Sequence, residues 1–245
     1  MIAALILGRK GSVGFPEKNL KPVCGHPLAW YPMTAAKRSQ SVDHVYLSTD
    51  DERLITLAKE NDVKVIERPD YLCTREALGE DAYAHGYHEI IRREGERPEL
   101  VVTLFCNAAT LLPKTIDEGV AVMRERPEFD SAVTVSRFNM YAPTRARHID
   151  DDGSLQPFMA FDEVKEYEVS CDRDCQGDVW FADCSCCVAR PENLENMDDG
   201  LPPQKWMGKR IYPLKQEAGC DVDFQWQMPM VEWWLQHNNF PYGTD

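Results

Sequence analysis

A glycine- and cation-rich segment follows the first apolar stretch of the chain. Residues 2–7 read IAALIL, and residues 8–19 read GRKGSVGFPEKN. The uncharged apolar run predicts a buried strand of a parallel sheet. A glycine-rich turn after such a strand lets backbone N–H groups approach a polyphosphate closely, and Arg9, Lys10 and Lys18 can neutralise it. The segment predicts a nucleotide triphosphate site, although it matches neither GxxxxGK(S/T) nor GxGxxG, and an ordinary turn is the alternative.

Two aspartates in the last part of the chain can hold a metal ion. Asp221 and Asp223 stand two positions apart in a segment that follows a predicted strand. On extended backbone, side chains two residues apart point the same way, so both carboxylates can face one hard divalent cation. Because a nucleotide triphosphate normally arrives with Mg²⁺, the acidic pair complements the N-terminal segment. A solvated acidic turn is the alternative interpretation of this pair taken alone.

Further cations are candidates for contacts with a nucleotide or a second substrate. Arg68 ends a predicted strand, where it can reach a base carbonyl or a phosphate, although a surface arginine is an equal alternative. In the second half of the chain, Arg173 lies just before a predicted strand and is the best single candidate for an anionic acceptor pocket. The residues expected to contact the acceptor are Arg137, Arg173, Gln176 and Lys205.

The composition excludes several classes of protein. The chain has 245 residues, of which 43% are hydrophobic, enough for one large α/β domain. Its net charge of −14 argues against a nucleic-acid-binding surface, which needs a cationic face. No stretch is long and apolar enough to cross a membrane, and the N-terminal apolar run is too short for a signal peptide. We therefore expect a cytoplasmic protein.

The nine cysteines raise the alternative of a non-catalytic zinc-binding module. Cys171, Cys175, Cys184, Cys186 and Cys187 lie close together in the sequence, but they lack a paired CxxC and a nearby histidine. The last three alternate along an apparent strand, which is typical of core packing. In a reducing compartment, such cysteines are mostly small buried hydrophobes.

Strand and helix patterns alternate through the first half of the chain. This order predicts an α/β fold with a doubly wound, mostly parallel sheet, whose ligands lie outside the carboxyl ends of the strands. The predicted strands are 2–7, 45–48, 63–66, 100–105, 131–136, 179–188 and 211–214, and the predicted helices are 29–39, 51–61, 80–94, 113–126 and 224–237. Residues 138–175, with a hairpin turn at 150–153, predict a small inserted antiparallel flap or dimerisation lobe within a single domain over 1–245.

The motifs together resemble one family. Residues 8–22, GRKGSVGFPEKNLKP, are similar to the signature of CMP-sialic acid synthetases and related cytidylyltransferases, in which the loop reads like ARxGSKGIPxKN. Further matches are GHPL at 25–28, VYLSTDD at 45–51, RP at 68–69 and DVD at 221–223. These matches keep the family's order across nearly the whole chain, so together they point to the family more strongly than to its substrate.

The resemblance implies a Rossmann-like nucleotidyltransferase that converts CTP and a small anionic acceptor into a CMP conjugate and pyrophosphate. Asp221 and Asp223 would coordinate Mg²⁺, and Arg9 and Lys18 would hold the triphosphate, so these four are the expected catalytic residues. The inserted lobe would form a homodimer in which the partner caps the acceptor site. The residues expected to contact CTP are Gly8, Arg9, Lys10, Gly11, Ser12, Lys18, Asn19, Arg68 and Asn107.

Departures from the family pattern bear on the acceptor. Val13 stands where the family often has lysine, and residues 106–112 read CNAATLL where sialic acid synthetases have a run like QPTSPLR. Residues 173–178, RDCQGD, likewise replace an RPNG-like run. The lost glutamine and arginine favour a compact phosphonate, such as phosphonoformate, over a keto sugar acid. A sugar acid remains the alternative acceptor, and UTP or GTP the alternative nucleotide.

Overall fold

Short apolar stretches of the chain form its strands. The computed structural model describes residues 1–11, 14–74, 76–160, 170–172 and 177–241. Each strand predicted from the sequence is present, with ends that shift by at most two residues. The strands are β1 (Ile2–Leu7), β2 (Pro22–Val23), β3 (His26–Pro27), β4 (His44–Thr49), β5 (Lys64–Glu67), β6 (Leu100–Phe105), β7 (Ser131–Arg137), β8 (Arg147–Ile149), β9 (Leu155–Pro157), β10 (Trp180–Ala189) and β11 (Ile211–Gln216).

The predicted helices are also present. Pro113 begins α4 at a position where its missing N–H is not needed, and Gly95 ends α3 in the left-handed region. The last helix begins later than predicted because residues 225–227 form a 3₁₀ turn. The helices are α1 (Trp30–Arg38), α2 (Glu52–Glu60), α3 (Gly79–Glu94), α4 (Pro113–Glu125), α5 (Pro191–Glu195) and α6 (Met228–His237). Within the described residues, no helix is long and apolar enough to cross a membrane.

Seven strands form the central sheet, in the order β11-β7-β10-β6-β1-β4-β5. Strand β1 pairs in parallel with both β4 and β6, and β5 and β11 are parallel additions at the two edges. Strand β10 is antiparallel to both of its neighbours, β6 and β7. The prediction of a mostly parallel sheet is therefore confirmed. The parallel strands deliver their carboxyl ends to one edge, where ligands of such sheets bind.

Helices cover both faces of this sheet. Successive side chains of a strand point to opposite faces, and β1 is buried along its whole length. One set of its side chains, Ile2, Ala4 and Ile6, belongs to a core shared with α1, α2, α4 and α6. Its other set, at positions 3, 5 and 7, packs in a second core with α3 and α5. Two buried faces explain why the strand sequence is continuously apolar rather than alternating.

Strands β8 and β9 form an antiparallel hairpin separate from the central sheet. The backbone N–H of Asp150 donates to the carbonyl of Ser154 at 2.9 Å, and Gly153 takes a φ of 81°. A turn residue with positive φ favours glycine, so the hairpin forms where the sequence indicates it. The predicted lobe at 138–175 is only partly within the described residues, and its role in dimerisation stays a prediction.

The start of α2 is fixed by Asp51. Its carboxylate accepts the Arg53 backbone N–H at 2.9 Å and forms an ion pair with the Arg53 guanidinium at 3.1 Å. Burial raises the pKa of this carboxyl, but the hydrogen bonds and charge of Arg53 outweigh burial and hold the pKa below its usual value of 3.8. The charged form is therefore stabilised in the folded state. Its contribution is present above that pH and is lost as the pH falls.

We expect Asp51→Ala to lower the free energy of unfolding by about 1 kcal/mol at pH 7, because the helix loses its N-cap. Asp51→Asn keeps an oxygen that can accept the same backbone N–H and should lose less. Urea unfolding followed by circular dichroism measures both values. Equal losses in the two variants would show that the cap does not stabilise α2.

Candidate active site

A cavity of about 620 Å³ opens at the carboxyl ends of β1 and β6. The last residues of these strands, Leu7 and Phe105, lie in its wall. This is the edge of the sheet at which the sequence predicts a ligand, and the volume is within the range of small-molecule sites. The lining residues are Leu7, Gly8, Arg9, Lys18, Asn19, Arg68, Ala77, Leu78, Gly79, Phe105, Asn107, Cys184, Gln204, Trp206, Asp221 and Asp223.

The N-terminal loop leaves β1 in close contact with the structure beneath it. A Cβ on Gly8 would lie 2.5 Å from the Cys106 sulfur, so the backbone passes here only as glycine. The Lys10 backbone N–H donates to Asp50 Oδ1 at 2.8 Å. The Arg9 guanidinium donates to the Thr74 carbonyl at 2.9 Å, which ties the loop to the segment before α3. These contacts place the Arg9 side chain along the cavity.

Lys18 and Asn19 continue this wall. The Lys18 ammonium lies 2.6 Å from Asp223 Oδ1, and 14% of the lysine side chain is exposed. Asn19 Oδ1 is buried, and within the described residues it accepts no hydrogen bond. A cation and an amide therefore line the cavity next to a carboxylate, an arrangement suited to a ligand that carries phosphates and a metal ion.

Arg68 reaches the cavity from the end of β5. Its Nε donates to Ser48 Oγ and its Nη2 to the Ser48 carbonyl, both at 3.0 Å. Burial lowers the pKa of the guanidinium, and the charge of Asp50 opposes that effect. A guanidinium stays charged in proteins, so Arg68 brings a desolvated positive charge to the site. The two bonds to Ser48 fix its direction and leave further N–H donors on the fork.

Asp221 and Asp223 both line the cavity, and Val222 between them is fully buried. Asn107 holds this segment in place. Its carbonyl accepts the Val222 N–H at 2.9 Å, and its side-chain amide donates to the Val222 carbonyl at 3.0 Å and to Asp221 Oδ2 at 3.4 Å. The alternation expected from the sequence therefore brings both carboxylates to one side. Their role as metal ligands stays a prediction.

Asp221 and Asp223 place two carboxylates side by side, and the Lys18 ammonium pairs with Asp223. Burial raises the pKa of Asp221, and the charge of Asp223 raises it further, whereas Lys18 and Asn107 oppose the shift without reversing it. Two hard oxygen donors that disfavour each other's charge suit a divalent cation. No group of three His, Cys, Asp or Glu that could hold a metal occurs in the described part of the chain. Mg²⁺ fits this donor set, because it commonly takes one or two carboxylates plus phosphates and water.

The predicted acceptor cations lie elsewhere. Arg137 pairs with Asp178 at 3.2 Å and Lys205 pairs with Asp198 at 2.9 Å, and neither lines the cavity. Although both residues lie near site residues in the sequence, neither side chain points into the cavity, because each pairs with a nearby carboxylate. The cavity wall also omits Lys10 and Gly11. Ser12, Arg173 and Gln176 lie outside the described residues.

An aromatic wall was missed by the sequence reasoning. The Trp206 ring lies 6.0 Å from that of Phe105 and 5.2 Å from that of the buried Tyr83. Phe105 is the last residue of a predicted strand, so its position at the ligand edge was available as a signal. Trp206 and its neighbour Gln204 lie in a segment rich in proline and methionine, where no periodic pattern indicates a direction.

Cys184 corrects the expected core packing of the cysteines in β10. Cys186 and Cys187 are buried, as predicted, but Cys184 is partly exposed and lines the cavity. The pairing of β10 with β7 is interrupted between Ala182 and Cys187, and Cys184 takes a φ of 60°. Strand alternation does not hold across such a bulge, so the pattern assigned this side chain to the wrong side. Burial and the nearby carboxylates, Asp221 first, raise the pKa of its thiol to about 12.

Comparison with known proteins assigns the fold first and then the family. The structure superposes on CMP:2-keto-3-deoxy-manno-octonic acid synthetase complexed with CTP, with a TM-score of 0.67 at 15% identity over 97% of this chain and 99% of that one. It also superposes on 4-diphosphocytidyl-2C-methyl-D-erythritol synthase from Anaerococcus prevotii, with a TM-score of 0.62 at 14% identity over 96% of both chains. The architecture is therefore a nucleotidyltransferase fold.

The sequence model of the cytidylyltransferase family matches residues 3–136, more than half of the chain, and the chain belongs to this family. Among curated relatives, 3-deoxy-manno-octulosonate cytidylyltransferase of Anaeromyxobacter sp. strain K is 31% identical over 50% of this chain and 47% of its own length. N-acylneuraminate cytidylyltransferase A of Danio rerio is 31% identical over 94% of this chain and 50% of its own length. The chain spans about half the length of these curated relatives.

We expect Asp221→Asn to raise the melting temperature of the ligand-free protein at pH 7.5. The pKa of Asp221 is raised on folding, so the folded chain binds this proton more readily than the unfolded chain, and ionisation costs stability as the pH rises. The amide removes that cost. The gain should shrink as the pH falls through the raised pKa of the wild-type carboxyl, because that carboxyl then becomes protonated.

Thermal unfolding by scanning calorimetry across this pH range measures the effect. Asp198→Asn is the matched control, since that carboxylate is almost fully exposed and its loss should change stability little. A lower melting temperature for Asp221→Asn than for the wild-type protein at pH 7.5 would contradict the conclusion that ionised Asp221 destabilises the folded state.

Proposed function

We propose that this chain transfers the cytidylyl group of CTP to an acidic acceptor and releases pyrophosphate. The observation that carries the proposal is the single cavity in which Arg9, Lys18 and Arg68 meet the Asp221–Asp223 pair. Positive groups suit a triphosphate, and the acidic pair suits the metal that a triphosphate brings. Family membership and curated relatives named as cytidylyltransferases support CTP as the nucleotide.

The reaction requires positioning and charge stabilisation rather than a covalent nucleophile. An acceptor hydroxyl oxygen attacks the α-phosphorus in line, and the bond from that phosphorus to the α,β-bridging oxygen breaks. The bridging oxygen leaves with the electron pair as pyrophosphate, and the acceptor's proton is released. Arg9 and Lys18 neutralise the charge that builds on the leaving group. Arg68, fixed by Ser48, holds a further part of the nucleotide.

Asp221 and Asp223 would hold Mg²⁺ in this reaction. When bound, the ion neutralises charge on the phosphate oxygens and orients them. Lys18 lies 2.6 Å from Asp223, so its ammonium compensates the carboxylate that faces the triphosphate end of the cavity. Asn107 keeps Asp221 aligned through its amide. These chain groups therefore bring metal and phosphate to a common place.

The uncharged part of the cavity wall favours a keto sugar acid over the compact phosphonate. This part includes Phe105, Trp206 and Gln204, which suit the C–H face and hydroxyls of a sugar. Arg137 and Lys205, two of the cations predicted to bind a phosphonate acceptor, form ion pairs outside the cavity. The names of the curated relatives also refer to sugar acids.

Most of the altered segment 106–112, from which a phosphonate acceptor was predicted, lies in the core and not on the cavity wall. Within this segment, Asn107 lines the cavity, whereas Ala108, Ala109 and Leu111 are fully buried in the core. Their apolar character therefore reflects packing under the sheet edge and leaves the acceptor unspecified. Phosphonoformate remains the second candidate acceptor, since residues 173–176 lie outside the described part of the chain.

We also propose that the protein forms a homodimer through the β8–β9 hairpin. Ile149 and Leu155 face each other across this hairpin, and each is more than two-thirds exposed. Phe158, just after β9, is 71% exposed. Exposed large apolar side chains on a surface hairpin are typical of an interaction site. A second copy of the chain is the partner that the family resemblance implies.

We expect pyrophosphate release from CTP, Mg²⁺ and a keto sugar acid, and a loss on the order of 100-fold or more in Asp221→Ala and Asp223→Ala. Each variant removes one of the two carboxylates that would hold the metal next to the triphosphate. A coupled pyrophosphate assay with 3-deoxy-octulosonate, sialic acid, legionaminic acid and phosphonoformate measures turnover. Glu60→Ala, an exposed carboxylate on α2, is the matched control and should retain full activity.

The same assay separates the alternatives. Full turnover in both aspartate variants would remove the metal assignment. A preference for UTP or GTP over CTP would overturn the cytidine assignment, and turnover with phosphonoformate alone would reverse the order of acceptors. Stoichiometric zinc in the purified protein, with no binding of CTP, would instead favour the binding-module alternative.

We expect Ile149→Asp and Leu155→Asp to convert a dimer into a monomer, because each places a charge in the apolar contact. Size-exclusion chromatography with light scattering measures the mass in solution. Gln156→Asp adds the same charge to the same strand at the next position and should leave the dimer intact. A wild-type protein that is monomeric at all concentrations would contradict the proposal.

A further inference from the structure

The segment that carries Asp221 and Asp223 is not part of any strand, yet its backbone is held at nearly every step. The Gly219 N–H donates to Ser136 Oγ at 2.8 Å, and the Cys220 N–H donates to Thr110 Oγ1 at 2.9 Å. Further along, Asn107 and Gln227 accept the N–H groups of residues 222 and 223. Three side chains and the Asn107 backbone carbonyl thus replace the ladder that a sheet would supply.

Asp183 lies beneath the start of this segment. It is 5% exposed, and its Oδ2 accepts Ser136 Oγ at 2.8 Å and Gln216 Nε2 at 2.9 Å, while its Oδ1 accepts the Ser185 N–H at 3.1 Å. Among the described residues, none of these partners is a cation. Three neutral donors therefore fix the direction of this buried side chain beneath the segment.

The contact between Asp183 and Gly219 is direct. A Cβ on Gly219 would collide with Asp183 Oδ2 and with the Gln216 amide, so the backbone lies against the carboxylate. The Ser136 hydroxyl accepts from Gly219 and donates to Asp183, which orients its lone pair towards the segment. A chain of two hydrogen bonds therefore runs from the buried carboxylate to the residue two positions before Asp221.

We propose that Asp183 is a positioning residue for the Asp221–Asp223 pair, acting through Ser136 and Gly219. The inference rests on the proposed function, in which that pair binds Mg²⁺ with CTP. Partners behind metal-holding carboxylates commonly change metal affinity by 10- to 100-fold when altered.

Asp183 lies within the bulge in β10. The backbone turns at Cys184, with φ of 60°, directly after Asp183. Asp183 is thereby directed into the protein, while Cys184 lines the cavity. A regular strand would also place Asp183 and Cys184 on opposite faces. The interrupted pairing with β7 changes the positions of both side chains relative to that strand.

The test is the gain in CTP affinity that Mg²⁺ produces, measured by isothermal titration calorimetry with CTP in Mg²⁺ and with CTP in EDTA. We expect Asp183→Asn to reduce this gain by about 10-fold or more, with CTP affinity in EDTA changed less than about 3-fold. An asparagine cannot accept all three hydrogen bonds that Asp183 accepts. Ser136→Ala removes the linking hydroxyl and should reduce the gain in the same way.

Thr103→Val is the matched control, because Thr103 is buried and donates to β10 at the Cys187 carbonyl but makes no bond to residues 219–223. It should keep the full gain. A full gain in both Asp183→Asn and Ser136→Ala would overturn the inference and leave the proposed function standing. No gain in the wild-type protein would overturn both. If Asp183→Asn does not fold, Ser136→Ala alone decides the outcome.

Discussion

The candidate site depends on one contact between distant parts of the chain, the Lys18–Asp223 ion pair across 205 positions. Strand β11 ends at the far edge of the sheet, four strands from β1, so the chain must cross back over several strand ends to make this contact. It crosses as an irregular segment. Ser136, near the end of β7, and Asn107, just after β6, accept hydrogen bonds from the backbone of this segment. Where that segment lies determines whether cations and carboxylates share one cavity.

Much of the framework could be predicted because its physical signals are local. Continuous apolar runs marked buried strands, Pro113 marked the start of a helix, and an aspartate-rich turn with Gly153 marked a hairpin. The alternation of these elements then implied a parallel sheet with its ligand edge at the carboxyl ends. Glycine and cations after β1 indicated a phosphate-binding loop, and the spacing of Asp221 and Asp223 indicated a common direction. Each inference needed only the residues themselves and their near neighbours.

The remainder depended on partners that are remote in sequence. Nothing near Arg137 or Lys205 indicates whether it will point into a cavity or pair with an aspartate on the surface. Trp206 reaches the site because it packs on Tyr83 and Phe105, which lie more than 100 positions away. The bulge in β10 reverses the expected side for Cys184, since alternation fails where the pairing with β7 is interrupted. Such features follow from tertiary packing and produce no periodic pattern in the sequence.

The left-handed backbone at Cys184 makes this position a natural point of variation in the cavity. A glycine here would relieve the backbone strain that any other residue carries, and it would also leave more room in the cavity near Asp221. A larger side chain would keep the strain and occupy that room. The shape of the cavity beside the acidic pair can therefore change through one residue of β10, while the loop after β1 that carries Arg9 and Lys18 is left untouched.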